Sequence, residues 1–238
     1  MIPSGEGSAA GDAKLEYVES PLRPRDRVFR QVSVSLDGST MKLAESITKH
    51  GALVSGVKDD YGELSPDKQQ ETMEKSVSEG YKNPVKVDHV LFRGLNDNAD
   101  SVSYSFNATV QNEVVEVGDM HMIKIPFVDV VATMDNFTKD DRQFPLEYWQ
   151  YENADEYETR VTIEVPAGAH FIELPKGESY TFRNSTYSIQ YIPSGPRKVI
   201  VVRKASLQRE DVTPAEYKQM KDFFGKIVKA ETKYIAFK

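Results

Sequence analysis

Four histidines, a scatter of carboxylates and one cluster of aromatics are the residues of this chain suited by type to chemistry. His50, His89, His121 and His170 lie far apart, and none is within a helical turn of another. A metal or a general base needs such groups brought together. His121, in DMHMIKI, lies in an apolar strand pattern, and each histidine reads as a core or surface residue. There is no cysteine, which removes disulfides, thiolate zinc sites and cysteine nucleophiles. No serine stands in a Gly-x-Ser-x-Gly elbow. No glycine-rich phosphate loop and no metalloprotease helix motif is present.

Two oxygen-rich stretches invite a calcium reading. LNDNADS carries Asp97 and Asp100, and Asp135–Asp141 reads DNFTKDD. Neither has the central glycine and distant glutamate of an EF-hand loop. Asn and Asp favour left-handed and Asx conformations, so a turn explains both without an ion. No metal and no other cofactor is expected. Glu147, Glu152, Asp155 and Glu156 lie close in sequence near a turn. Paired carboxylates for glycoside hydrolysis would have to converge on a cleft, and these read as a solvated face. Phe144, Tyr148, Trp149, Tyr151 and Tyr157 form the aromatic cluster. Tyr148, Trp149 and Tyr151 are the candidate binding patch, a platform on which a sugar could stack. Strand aromatics also serve core and edge contacts. The Asn107, Asn136 and Asn184 sequons carry no weight, because the pattern is common by chance.

A chain of 238 residues makes one large β domain or two ordinary ones. Its 39% hydrophobic and 28% charged content is that of a normal globular protein. The net charge of −7 argues against a general nucleic-acid binder, which needs a basic field. No apolar run reaches the length of a membrane span, so no membrane insertion is expected. The opening MIPSGEGSAAGDAKLEYV lacks a charged and then apolar leader, and reads as a linker. The expectation is a cytoplasmic protein or a piece of a longer exported chain.

Alternation marks strands at Lys14–Ser20, through Val28–Leu36, and again after Asp37-Gly38, a hairpin signal. Gly51–Gly62 holds three glycines and gives no clear pattern. Ser65, Pro66 and Asp67 open a polar helix to about Glu79. Val85–Phe92, Val102–Val110 and Glu113–Ile125 read as strands. A polar, turn-rich segment then places a boundary near Pro126. Beyond it strands are expected at Leu146–Tyr151, Asp155–Val165, Phe171–Leu174, Tyr180–Asn184, Tyr187–Ile192 and Lys198–Ser206. Thr213, Pro214 and Glu216 make a cap, first position and capping box for a helix over 213–229. Its stripe of Tyr217, Met220, Phe224, Ile227 and Val228 is expected to cover a sheet. Tyr234–Phe237 reads as a last strand on a sheet edge. The fold expected is mainly β: two antiparallel sandwich-like domains, 1–126 and 127–238, each with one helix.

A run of motifs over Asp129–Lys238 adds to this. Arg142–Pro145 is followed by TIEVPAGAHFIELPKG, by YTFRNSTYSIQY and by KVIVVRKASLQREDVTPAEYKQMKDFFGKI. In that order they resemble the C-terminal domain of unknown function that follows a transglutaminase-like domain in exported proteins of Gram-negative bacteria. The first half, with VDHVLFRGLNDNADSVSYSF, resembles the β-rich segment preceding that domain. The resemblance implies the tail of a longer periplasmic or cell-envelope protein. It implies an accessory module, not an enzyme, whose partner is the upstream transglutaminase-like domain of the same polypeptide. The family's Cys-His-Asp core maps onto no residue here, as cysteine is lacking. The alternative is a carbohydrate- or peptidoglycan-binding module, whose partner would be an envelope glycan; another envelope protein is a further possible partner.

Overall fold

A computed structural model describes residues 25–147 and 154–238. The first half carries β1 (Arg27–Asp37), β2 (Thr40–His50), α1 (Leu53–Tyr61), α2 (Pro66–Ser78), β3 (Val85–Arg93), β4 (Ser101–Val110), β5 (Val115–Val117) and β6 (Met120–Lys124). The second carries β7 (Leu146–Glu147), β8 (Glu156–Glu164), β9 (Phe171–Glu173), β10 (Glu178–Phe182), β11 (Ser185–Pro193), β12 (Lys198–Ser206), β13 (Asp211–Val212), α3 (Tyr217–Glu231) and β14 (Tyr234–Phe237).

The chain is mainly β, as its alternation implies. Eight strands form one mixed sheet in the order β10-β11-β12-β8-β1-β2-β4-β3. Strands from both sides of the expected boundary near Pro126 therefore share a sheet. They join where β1 and β8 run parallel, from Arg27 opposite Glu156 to Ser35 opposite Glu164. This pair makes the sheet mixed where purely antiparallel sheets were expected. The reason lies in β1, whose eleven residues would otherwise end the first half as a long open edge.

The first half also holds two helices where one was expected. α2 has its Ser65 cap, whose hydroxyl accepts from Lys68 N–H at 3.5 Å. α1 forms from the glycine-rich stretch, with Val54, Val57 and Tyr61 buried on one side. Its N-terminus has no side-chain cap from its own residues. Asp26 supplies one from a distance, its Oδ1 accepting from Ala52 N–H at 2.7 Å. Gly51, at φ 74°, passes so close to Asp26 that a Cβ there would collide with it.

A second sheet runs β5-β6-β14-β9. The expected single strand Glu113–Ile125 folds back at Gly118, φ 65°, into the β5–β6 hairpin. The last strand, β14, lies inside this sheet with β6 on one side and β9 on the other, not at an edge. β7 and β13 pair as a small ribbon.

α3 forms as its stripe requires. Tyr217, Met220, Phe223, Phe224 and Ile227 are buried, and Val228 is half-buried. The helix proper begins at Tyr217, after a turn over Thr213–Glu216. Glu216 closes its half of the capping box, accepting from Thr213 N–H at 3.2 Å. Phe224 stacks on Phe137 at 5.2 Å and meets Phe223 edge-on at 5.1 Å.

Charge is buried beneath the sheet. Arg30 (β1), Thr159 (β8) and Arg203 (β12) stand in register across three neighbouring strands. Arg203 is fully buried. Its guanidinium donates to Glu231 Oε1 at 3.0 Å, Asp129 Oδ1 at 3.0 Å and Thr159 Oγ1 at 2.6 Å. Phe127 lies under it at 4.6 Å. Arg30 pairs with Glu45 at 2.8 Å and reaches Asp129 at 3.5 Å. Burial disfavours the Arg203 charge, but attraction to Asp129 and Glu231 outweighs it and holds the guanidinium protonated. Burial pushes the Glu45 and Glu231 carboxyls up. A second clamp joins the halves: Arg209 pairs with Asp26 and with Asp155, each at 2.7 Å.

Candidate interaction face

The alternation of the large sheet sorts its residues onto two faces. Val28, Val32, Leu43, Ile47, Val161, Ile163, Val199 and Val201 point inward and are buried. All three helices contact inward-facing residues. Tyr61 of α1 lies 4.7 Å from Phe92, Glu74 of α2 accepts from Val87 N–H at 2.9 Å, and Phe223 of α3 lies 6.1 Å from Phe182. Among the described residues nothing packs on the opposite face, which is bare in that sense. Gln31, Ser33, Ser35, Ala44, Ser46, Asn107, Thr186 and Gln190 are exposed there. Ser103, Ser105, Thr162 and Ser188 are half-buried. Phe29, Leu91 and Ile192 are its exposed large apolar side chains.

Many charges on this face are paired, while Arg160, opposite Gln31 and Val202, stands exposed there. Lys204 and Glu158 are cross-strand partners 3.2 Å apart, and Lys198 and Glu164 are partners at 3.1 Å. Lys42 reaches Asp37 at 2.8 Å. Such pairs add little stability in water but leave a surface of low net charge. Two depressions cross the face. One of about 500 Å³ touches Ser33, Ala44, His89, Asn107 and Thr162. The other, about 490 Å³, touches Phe29, Glu158, Thr181, Thr186 and Ser188. β3 bulges between Asp88 and Leu91 at the rim of the first. His89 takes φ 55° there, and its ring meets the Asp88 carboxylate and Asn107 Nδ2. A bulge re-aims side chains, and this one turns His89 toward Asn107.

The sequence's candidate patch, Tyr148, Trp149 and Tyr151, lies outside the described residues, as does Glu152. Of its neighbours, Phe144 is exposed, while Tyr157 is buried and its hydroxyl accepts from Ala154 N–H at 2.9 Å. Asp155 is buried against Arg209, and Glu156 pairs with Arg25 at 2.9 Å and Arg27 at 2.8 Å. These two acids are spent on holding the sheet. The Asp97 loop receives a cation from the chain itself: Lys58 Nζ donates to Asp97 O at 2.7 Å. Lys221 donates to Asp140 Oδ1 at 2.9 Å, and that bond with its charge holds the carboxyl below its usual range. Among the described residues no group of three or more histidines and acids is placed to hold a metal. His50 meets Phe29 edge-on at 5.7 Å, and His121 stacks on Phe237 at 5.3 Å.

The bare face and the buried charges both escape the sequence reading. The signal for the charges was present: Arg30 and Arg203 fall on the inward parity of VFRQVSV and VIVVRKA, where every neighbour in phase is apolar. No comparable signal marks the face, because exposed serine and threonine are ordinary in strands.

Residues 120–237, from the start of β6 to the end of β14, match the family model of a domain of unknown function with a solved structure, DUF3858. A comparison with curated proteins found no match.

Proposed function

We propose that this chain is a non-catalytic accessory module of a larger transglutaminase-like polypeptide of the cell envelope. Its bare sheet face docks on the catalytic-like region of that polypeptide. The observation that carries the reading is the one-sided sheet: among the described residues, helices and apolar side chains lie on one face and a hydroxyl-rich surface with mostly paired charges on the other. Eight strands at their usual spacing and nine residues of length give a face of about 35 Å by 30 Å. That is on the order of 1,000 Å², above the roughly 800 Å² each partner contributes to a standard interface. Polar, wet interfaces of this size are common between domains. The motif run from Arg142 to Ile227 supplies the transglutaminase-like context, and the match to a domain of unknown function is consistent with it. A chain without cysteine contributes no thiol nucleophile of its own to such a protein.

Titration calorimetry of this chain against the separately expressed transglutaminase-like region tests it. Saturable heat is expected, with a Kd at micromolar strength or tighter, about −8 kcal/mol. Ala44→Arg places a long cation at the centre of the bare face, where Ala44 is flanked by Ser33 and Asn107. It is expected to weaken binding at least about tenfold with the melting midpoint unchanged. Absence of heat and of co-elution contradicts the reading.

A further inference from the structure

We propose that the edge strand β10 and helix α3 form a groove that takes an extended, uncharged peptide of a partner protein by strand addition. The proposal is independent of the bare face. β10 is the last strand of the large sheet, and among the described residues no strand pairs on its far side. The opposite edge is protected differently. β3 follows Pro84, carries Lys86 and Arg93, and is broken by the bulge at His89. Bulges and charges are the usual devices against strand addition. β10 has no bulge: its five residues pair with β11 without a break, and its one charge, Glu178 at its start, is matched by Lys233.

The direction of its free backbone groups follows from register. The turn at Arg183-Asn184 makes Phe182 and Ser185 the closing pair. Hydrogen-bonded pairs alternate in an antiparallel ladder. Phe182, Tyr180 and Glu178 therefore point their N–H and C=O groups at β11. Ser179 and Thr181 point theirs to the open side.

α3 runs beside this edge in the opposite direction, held by two contacts of its own and by one from the residues at each end of it. Arg183 donates to Glu216 at 3.1 and 2.5 Å, Phe182 lies 6.1 Å from Phe223, Lys226 lies 5.8 Å from the Tyr180 ring, and Lys233 pairs with Glu178 at 3.0 Å. Between strand and helix is a space of about 450 Å³ that Ser179, Thr181, Gln219, Asp222, Phe223 and Lys226 line. Strand edge on one wall and helix on the other is the geometry in which peptides add to sheets.

The lining states the occupant's chemistry. An added strand would alternate its side chains as β10 does. Those on the side of Phe182 and Phe223 meet apolar surface, and those beside Ser179 and Thr181 meet hydroxyls. The charges offered balance: Arg183 is already matched by Glu210 and Glu216, and Asp222 and Lys226 stand one of each sign. A peptide alternating apolar and small polar residues, without net charge, fits this lining.

Hydrogen exchange resolved by residue tests it, with a synthetic nonapeptide copying β11 (Ser185–Pro193, STYSIQYIP) as the probe. In the free chain the Ser179 and Thr181 amides are expected to exchange at least roughly 100-fold faster than those of Tyr180 and Phe182. Peptide at about 1 mM is expected to slow Ser179 and Thr181 by at least about tenfold and to leave β3 unchanged. Ser179 and Thr181 already protected in the free chain, or unaltered by peptide, overturns the proposal. Protection that rises with the chain's own concentration, without peptide, assigns the edge to a second copy and also overturns it.

Discussion

Arg203→Ala is expected to destabilise the chain by about 3–5 kcal/mol, because it strands the buried Glu231 carboxylate and takes one of its two cations from Asp129. Arg203 is fully buried and answers both Asp129 and Glu231. Removing it leaves the Glu231 carboxylate, itself 3% exposed, with Val131 N–H at 3.3 Å as its other donor. Asp129 keeps Arg30 at 3.5 Å. For a chain of this size the loss corresponds to a fall in melting midpoint of about 6–20 °C. The companion variant separates pairing from volume. Arg203→Met combined with Glu231→Leu is expected to recover much of the loss, since apolar replacement of a whole buried pair is often neutral. Urea midpoints of the two variants decide it. Equal destabilisation by both would assign Arg203's contribution to its contact with Phe127 and Tyr157, not to the charge.

Phe224→Asp is expected to cost several kcal/mol, in the range of a deleted core aromatic with a desolvated charge added. Phe224 is 2% exposed and lies between Phe137 and Phe223. Its helix carries Glu231 into the charge network and leads into β14 at the centre of the small sheet. Loss of its seat therefore propagates to both sheets. A melting midpoint like that of the unaltered chain would mean the stripe faces solvent, and would turn α3 into a partner-binding helix.

The periodic parts of this fold were legible. β12 falls on Lys198–Ser206 as its alternation predicts, and α2 follows its Ser65 signal, while α3 begins at Tyr217, four residues beyond the expected Thr213 cap. What escaped was set by distant residues. α1 is capped by Asp26 and not by its own sequence, so local rules have nothing to find. The parallel β1–β8 pair joins residues more than a hundred positions apart, and no turn residue announces it. The break at Gly118 was readable in hindsight, because Gly-Asp between alternating runs is a hairpin signal. The bare face was only half legible: strand parity assigns its residues to one side, but says nothing of whether other elements pack on them.

Hydroxyl-radical footprinting of the chain with and without the transglutaminase-like region tests the central claim most directly. Phe29, Leu91 and Ile192 report on the bare face at 39%, 67% and 42% exposure. Val115 and Val117, at 45% and 47% on β5, are controls of similar exposure elsewhere. The expected result is protection of the three face residues with Val115 and Val117 unchanged. Unaltered oxidation of Phe29, Leu91 and Ile192 in a complex that forms would contradict docking through this face.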